Sequence, residues 1–366
     1  MKLQTPRDPF LSHLQAVASV CPTRSTRPIL TDVLIDVDGN RVQITATDGD
    51  VTVRRSYSDD TVSGEGRAAL PAATLLSAVR SMASETLSLD ANGAAHELTG
   101  EKAYFKLQGD DPELFPALPD MDAERGLELP LGVFVDLCQR TMFAAAREMG
   151  RYAFNGVLLE VDPQELTLVA TDGRRLSKAA IALETGVAER FSVVVPLKGL
   201  QQLQRLGLDP DTPLRLEFRE TLVSFAVPGT EVRAQLVEGE FPDFRAVMPK
   251  EADVPSMVTL NREELASAIQ RATITAGDEG PAVELALSTG SLCVASRQEG
   301  LGESRSELAV EYEGDPVDIR FNPVFLGEYL KTMPEPQVTF RFKDRASAGL
   351  FSSLENTSYI VMPITS

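Results

Sequence analysis

Histidine, cysteine and paired carboxylates are the side chains from which hydrolytic, redox and metal chemistry is built, and this chain offers few of them in a usable spacing. Its 366 residues include two histidines, His13 and His96, and three cysteines, Cys21, Cys138 and Cys293. No HExxH, GxSxG, Walker or GxGxxG pattern occurs, and the cysteines form no CxxC pair. They are expected as buried thiols, not as zinc ligands or a disulfide frame. The run Asp36-Val37-Asp38-Gly39-Asn40 looks like the opening of a calcium loop. Its glycine comes too early, however, and Thr47 stands where a bidentate glutamate is required, so a hairpin turn is the better reading. The adjacent carboxylates Asp59-Asp60, Asp110-Asp111 and Glu263-Glu264 are expected to be solvated. Asp172, with Arg174 and Arg175 nearby, has the makings of a general base, but it has no nucleophile or acid close in sequence and sits in an Asp-Gly turn. No catalytic residue, metal site or cofactor is assigned.

The elements that carry these residues repeat. The stretch 33–49, VLIDVDGNRVQITATDG, superimposes without a gap on 157–173, VLLEVDPQELTLVATDG, at an offset of 124 (157 − 33). A third copy, VELALSTGSLCVAS at 283–296, lies 126 residues further on (283 − 157) and lacks the Thr-Asp-Gly ending. Self-similarity at a fixed period marks an array of like units. In each unit an amphipathic helical pattern precedes the hairpin and a strand leading into a second helix follows it, giving helices over 9–20, 72–83, 131–147, 198–206, 262–276 and 323–332. Val33, Ile35 and Val37 alternate with Leu34, Asp36 and Asp38, which predicts an antiparallel sheet with one wet face. The fold class is α+β: three similar domains of antiparallel sheet with two helices each, over 1–122, 123–252 and 253–366. The proline- and acid-rich stretches 108–130 and 237–257 read as linkers, each with a Phe-Pro pair, 126 apart (241 − 115).

Apolar residues make up 43% of the chain, enough for a core in each unit. No apolar run is long enough to span a bilayer, and the opening MKLQTPRDPF lacks the apolar centre of a secretory signal, so the cytoplasm is the expected location and no membrane partner is assigned. The net charge of −19 speaks against nucleic acid until its distribution is considered. The six helical segments carry eight basic residues (Arg80, Arg140, Arg147, Lys198, Arg205, Arg262, Arg271, Lys331) against four acids (Asp136, Glu263, Glu264, Glu328). The helices are thus +4 and the remainder −23, so a basic face is expected on an otherwise acidic protein.

Four further stretches resemble the bacterial DNA polymerase III beta subunit, the replicative sliding clamp family: RYAFNGVLLEV…LTLVATDGRRLS (151–177), GEFPDFRAVMP (239–249), SYIVMPITS (358–366) and TRPILTDVLIDV (26–37). The likeness runs the whole length with three domains in the same order. It implies a head-to-tail homodimeric ring of six domains, with sheets outside and helices around double-stranded DNA held without sequence preference. It also implies a non-catalytic processivity factor, nucleoid-associated during replication, that tethers the replicative polymerase and is served by a clamp loader. The resemblance adds Arg24, Arg151 and Tyr152, which together with the helix cations Arg80, Arg140, Arg147, Lys198, Arg205, Arg271 and Lys331 are the expected DNA-facing residues, with Glu148 and Ala153 as departures. It places a pocket for short partner peptides, containing a glutamine and an apolar pair, at Phe154, Thr171, Gly173, Arg174, Arg175, Leu176, Pro242, Val247, Ile360, Val361, Met362 and Pro363. It puts Phe105 and Leu107 opposite the partner copy's third-domain helix near Ile274. Arg174 in place of a usual histidine, and the ending Ile364-Thr365-Ser366, predict a shifted peptide preference. The competing readings are a protein-binding repeat scaffold that ignores DNA, and an enzyme on the same scaffold, which lacks an acid/base or metal constellation.

Overall fold

The computed structural model describes residues 1–92, 95–118, 121, 124–146, 153–277 and 280–365. Six helices occur among them: α1 (Arg7–Ala18), α2 (Ala72–Ser81), α3 (Leu131–Thr141), α4 (Leu197–Arg205), α5 (Arg262–Thr273) and α6 (Pro323–Thr332). Their starts are written locally. Asn261 accepts hydrogen bonds from the Glu263 and Glu264 amides at 3.0 and 3.1 Å, and Asn322 accepts from Val324 at 2.9 Å ahead of Pro323. Glu263 and Glu264 in the first turn of α5, with Arg271 in its last, complement the helix dipole. Its buried residues Leu265, Ala268, Ile269 and Ala272 recur three and four apart, which is the stripe a core-facing helix needs. α3 ends earlier than the predicted 147: Thr141 leaves helical dihedrals, at φ −122° and ψ −44°, and a 3-10 turn, Met142–Ala144, follows.

The repeat is carried into the strand register. In the first hairpin Ile35 pairs with Ile44, in the second Leu159 with Leu168, and in the third Leu285 with Val294, so both partners move by 124 (159 − 35, 168 − 44) and then by 126 (285 − 159, 294 − 168). Each hairpin's first strand also pairs with the strand that leads into the second helix of its repeat: Ser63–Pro71, Phe191–Pro196 and Val317–Phe321. The strand before each first helix pairs with the strand after the second: Lys2–Pro6 with Thr86–Asn92, Arg125–Pro130 with Pro213–Arg219, and Ser256–Asn261 with Gln337–Phe342.

Packing divides the chain differently from the repeat. One compact unit is Met1–Val133 with Lys198–Leu236 and holds a 12-stranded sheet; the other is Phe134–Leu197 with Val237–Ser366 and holds sheets of eight and four strands. The cause is pairing between successive repeats. Val51–Ser58 of the first pairs with Thr230–Gln235 of the second, and Arg175–Ala182 of the second pairs with Thr357–Val361 of the third. Two edges of the same kinds remain: Gly302–Ala309, paired only with Ser291–Gln298, and Tyr104–Gln108, paired only with Ala95–Thr99 among the described residues.

The expected wet face is missing from the second hairpin, whose strand Gly156–Asp162 is buried on both sides. The segment read as a linker accounts for this. Val237, Phe241, Phe244, Met248 and Val254 lie on a cluster formed by Leu158, Val169, Leu176, Val194 and Ile360. In the first repeat Phe115 likewise covers Ile29, Leu30, Leu34 and Ala69. Apolar area that an open sheet face would leave in water is thereby buried. Beside the Phe115 cluster, Asp32 is 2% exposed and one of its carboxylate oxygens has no hydrogen-bond partner. Burial and the nearby Asp110 raise its pKa from 3.8 to about 6. A raised folded-state pKa costs stability in full above pH 6, and the cost disappears as pH falls to 3.8, where both states take up the proton. Asp32→Asn is therefore expected to stabilise the protein at pH 8 by on the order of 1–2 kcal/mol and not at all near pH 4. Thermal melts at the two pH values check this, and an equal gain at both would contradict it.

Candidate functional site

The Thr-Asp-Gly turn that ends the second hairpin organises one wall of a cavity. The Thr171 hydroxyl donates to the Arg175 carbonyl at 2.6 Å and accepts the Gly173 amide at 3.1 Å, while Asp172 Oδ1 accepts the Arg174 and Arg175 amides at 2.9 and 3.1 Å. Gly173 has φ +85°, a left-handed backbone that favours glycine, whereas a Cβ there would make only ordinary contact with the Phe154 ring at 3.5 Å. The first repeat builds the same turn: Thr47 donates to Val51 at 3.0 Å and accepts from Gly49 at 3.1 Å. A strand of the following repeat runs beside each turn: at the first the Gln235 amide donates to the Asp50 carbonyl at 2.8 Å, and at the second the neighbouring strand builds a cavity wall. Leu176 pairs with Ile360, and the Met362 amide donates to the Arg174 carbonyl at 2.9 Å.

The resulting cavity, about 220 Å³, is walled by Phe154, Thr171, Gly173, Arg174, Arg175, Leu176, Pro242, Asp243, Phe244, Val247, Ile360 and Met362. Its floor is buried, whereas Val247 and Met362 at the rim are 60% and 50% exposed. A volume this small holds a few side chains, not a whole drug-sized molecule. Two residues expected in the wall are elsewhere. Val361 is fully buried because strand side chains alternate, so it turns away from the cavity that Ile360 and Met362 face, and Pro363 does not line it. Asp243 and Phe244 were missed. Their signal is Asp243 capping the 3-10 turn Phe244–Ala246, where its carboxylate accepts the Arg245 amide at 3.1 Å and so tips Phe244 inward.

Arg175 is a strut. Its guanidinium donates to Asp172 at 2.9 Å and to Glu328 of α6 at 2.5 Å, and lies 4.3 Å from the Phe325 ring centroid. Burial opposes the charge, but Tyr359 and Glu328 outweigh it and hold the pKa above the usual arginine value.

Of the cations expected to face DNA, Arg24, Arg80, Lys198, Arg205, Arg271 and Lys331 are exposed. Arg147, Arg151 and Tyr152, with Glu148, lie outside the described residues. Lys198 is engaged with Asp48, and Arg271 with Ser267 and Ser306 at 2.7 and 3.0 Å. Arg140 requires correction: it is 5% exposed, donates to Asp136 at 2.7 Å and forks onto Glu335 at 2.7 and 3.1 Å. Two carboxylates hold it inside the protein, so it is no part of an exposed cationic face. At the strand edges, Leu107 is buried opposite His96 in its own repeat, Phe105 is half-buried, and Ile274 is 77% exposed. Among the described residues no three His, Cys, Asp or Glu side chains group as a metal site would require, and no helix is long and apolar enough to cross a membrane.

Models of the N-terminal, central and C-terminal domains of the DNA polymerase III beta subunit match residues 1–119, 128–243 and 245–365. The chain is 30% identical to the beta sliding clamp of Pseudomonas putida over 362 residues, 98% of each protein. It is 28% identical to that of Chlamydia muridarum over 365 residues, 100% of this chain and 99% of the relative. Among solved structures, the sliding clamp of Pseudomonas aeruginosa bound to griselimycin superimposes with a TM-score of 0.95 at 27% identity, covering 100% of both chains. The Bartonella birtlesii clamp bound to the same compound gives 0.94 at 28% identity, again over 100% of both chains.

Proposed function

Because the chain belongs to the DNA polymerase III beta-subunit family, we propose that two copies close head to tail into a ring around duplex DNA and hold the replicative polymerase there. The protein is a sliding clamp, a non-catalytic processivity factor. Tethering raises the polymerase's effective concentration at the primer end, so synthesis continues without any chemistry from the clamp. A topological link needs no base readout, and exposed cations such as Arg24, Arg80, Arg205 and Lys331 supply diffuse attraction to phosphates. Its place of work is the cytoplasm, at the nucleoid during replication.

The observation that carries the ring is the pair of unfilled strand edges. Two junctions between repeats close within the chain by strand pairing, and the third is left as one edge at Tyr104–Gln108 and its complement at Gly302–Ala309. An unpaired edge seeks a partner, and these two are complementary in kind: Lys102 and Lys106 are exposed at the first, and Glu303 is exposed at the second, where Glu307 is already paired with Arg305. A second copy satisfies both of these junction edges at once, because a closing heterologous contact makes the same pairing at each of its two ends.

Retention on DNA tests the reading. Loaded by a clamp loader, the protein is expected to stay on nicked circles and to be lost once they are linearised; equal loss from both forms would reject topological linkage. The cavity is the proposed dock for partner peptides carrying a glutamine and an apolar pair, seated around Leu176, Val247, Ile360 and Met362. Deleting 362–366 is expected to weaken a polymerase-derived peptide more than about tenfold, the loss of one well-buried anchor, and to leave the dimer intact. Unchanged affinity in a fluorescence-anisotropy titration would mean that the dock lies elsewhere.

A further inference from the structure

We infer that Glu160 is a positioning residue for the proposed peptide dock: from outside the cavity, its carboxylate holds the segment 243–247 in the orientation that presents Phe244 and Val247 as a wall. The inference rests on the cavity being that dock and adds a residue that acts on it from behind. Glu160 lies in the strand Gly156–Asp162 and is not among the residues that wall the cavity. It is 8% exposed, and a carboxylate that deep must be paired. Arg245 supplies the pair from 85 positions away: its guanidinium forks onto both Glu160 oxygens, at 2.5 and 3.1 Å, and lies 4.3 Å from the Phe244 ring centroid. Arg190 donates to the same carboxylate. Burial raises the Glu160 pKa, but the hydrogen bonds from Arg245 and Arg190 more than offset this and leave it below the usual glutamate value, so the clamp is charged at neutral pH.

Three restraints act on this segment, and they do different things. Asp243 accepts the Arg245 amide at 3.1 Å, and the Val247 amide donates to the Phe244 carbonyl at 3.2 Å; these bonds shape the turn but tie it to nothing outside itself. Phe244 is 4% exposed in a cluster with Leu158, Val169, Leu176 and Ile360, which fixes one point of the turn and leaves it free to pivot about that ring. The fork onto Glu160 is a second point, and two points set the direction in which Val247, at the rim, must face. A pair this deep contributes little net stability, because desolvation offsets the attraction, so fixing one geometry is the role left to it. The repeat offers an internal comparison. Asp36 is the equivalent residue of the first repeat (160 − 124); it meets Arg67 at 3.5 Å, and Arg67 meets Glu113 of the corresponding segment at 3.1 Å, but all three side chains are 40% exposed or more. In the third repeat the position is Ala286 (160 + 126). Of the three equivalent positions, the one with a deep fork is the one whose covering segment walls the cavity.

The test uses the full-length protein and one synthetic fluorescent peptide carrying a glutamine and two leucines. Glu160→Gln keeps the side-chain shape but cannot accept both arms of the fork, and is expected to weaken the peptide about fivefold, toward the low end of what coupled residues transmit to one another. Arg190 and Arg245 are about half exposed, so water takes up their charges and the variant folds. Arg245→Gln, changed at the exposed partner, should give the same loss, and the double variant no more than either. Arg245→Lys, which keeps the charge but not the fork, should recover only part of it. Cycles with the two rims separate positioning from a general loosening: in the Glu160→Gln background Val247→Ala should cost no further affinity, whereas Met362→Ala should cost what it costs in the native protein. Native affinity in Glu160→Gln, a loss that adds fully to that of Val247→Ala, or equal coupling to Val247 and Met362 would overturn the inference and leave the dock standing. If Val247→Ala and Met362→Ala both leave the affinity of the native protein unchanged, the dock itself falls, and the inference with it.

Discussion

Replacing Arg140 by alanine is expected to destabilise the unit that contains it by about 3 kcal/mol, because removing one partner from a buried ion pair strands the other. Two carboxylates lose their counterion: Glu335, whose side chain is 18% exposed, and Asp136, the more exposed of the two. Burial works against the Arg140 charge, and the hydrogen bonds it donates to Glu335 and Asp136 outweigh it, holding its pKa above the usual arginine value. For a unit of this size the thermal midpoint should fall by roughly 6–12 °C. Arg140→Lys should recover only part of the loss, since an ammonium cannot fork onto Glu335. The effect also has a pH signature. Burial raises the Glu335 pKa, but the hydrogen bond from Arg140 more than offsets this and leaves it below 4.5. The pair's contribution is therefore present above pH 4.5 and fades as pH falls through the lowered folded-state value, so native and Arg140→Ala melts should converge in acid. Were Arg140 a DNA contact, as the charge count on the helices suggested, the substitution would leave the melt alone and lower the salt dependence of DNA association by about one ion. The two outcomes are opposite in both assays.

Ile274→Asp is expected to dissociate the proposed dimer, raising its dissociation constant at least about 100-fold, since a carboxylate would have to be buried without a partner in an apolar contact. The site suits a clean test because Ile274 is 77% exposed in the single chain, so the change should move the melting of the monomer by no more than about 0.5 kcal/mol. Leu107 is a poor choice: it is buried in its own repeat, and truncating it would confound folding with assembly. Sedimentation at low micromolar concentration reads the result directly, and retention on circular DNA should be lost together with the dimer. A variant that still sediments as a dimer would remove Ile274 from the interface and leave the open strands Tyr104–Gln108 and Gly302–Ala309 to close it by backbone pairing alone.

The site was legible to the degree that its parts are local. Thr171, Asp172 and Gly173 build their turn from hydrogen bonds spanning two to four residues, which is why the motif could be read from the chain and why it recurs at Thr47. Asp243 is equally local, and its cap on the following turn could have been found by the same logic. Val361 was misplaced for a different reason: strand periodicity says that neighbours alternate, but which of them faces a cavity depends on what covers each side. The segments taken as linkers show the same limit. Their prolines and acids mark irregular backbone, whereas Phe115 and Phe241 seek apolar surface that no local pattern reveals.

By itself, then, the sequence determined the repeat at 124 and 126 residues, the six helices, two of them with asparagine caps, and the hairpin registers, because these follow from side-chain periodicity and hydrogen bonds between near neighbours. Tertiary structure alone decided which charges are free. Arg140 and Arg174 are the same residue type, 34 positions apart (174 − 140), yet one is forked onto a glutamate 195 residues away and the other stands at a pocket rim without a counterion. A charge's energetic meaning depends on burial and on its partners, and both are set by contacts that only the folded chain makes.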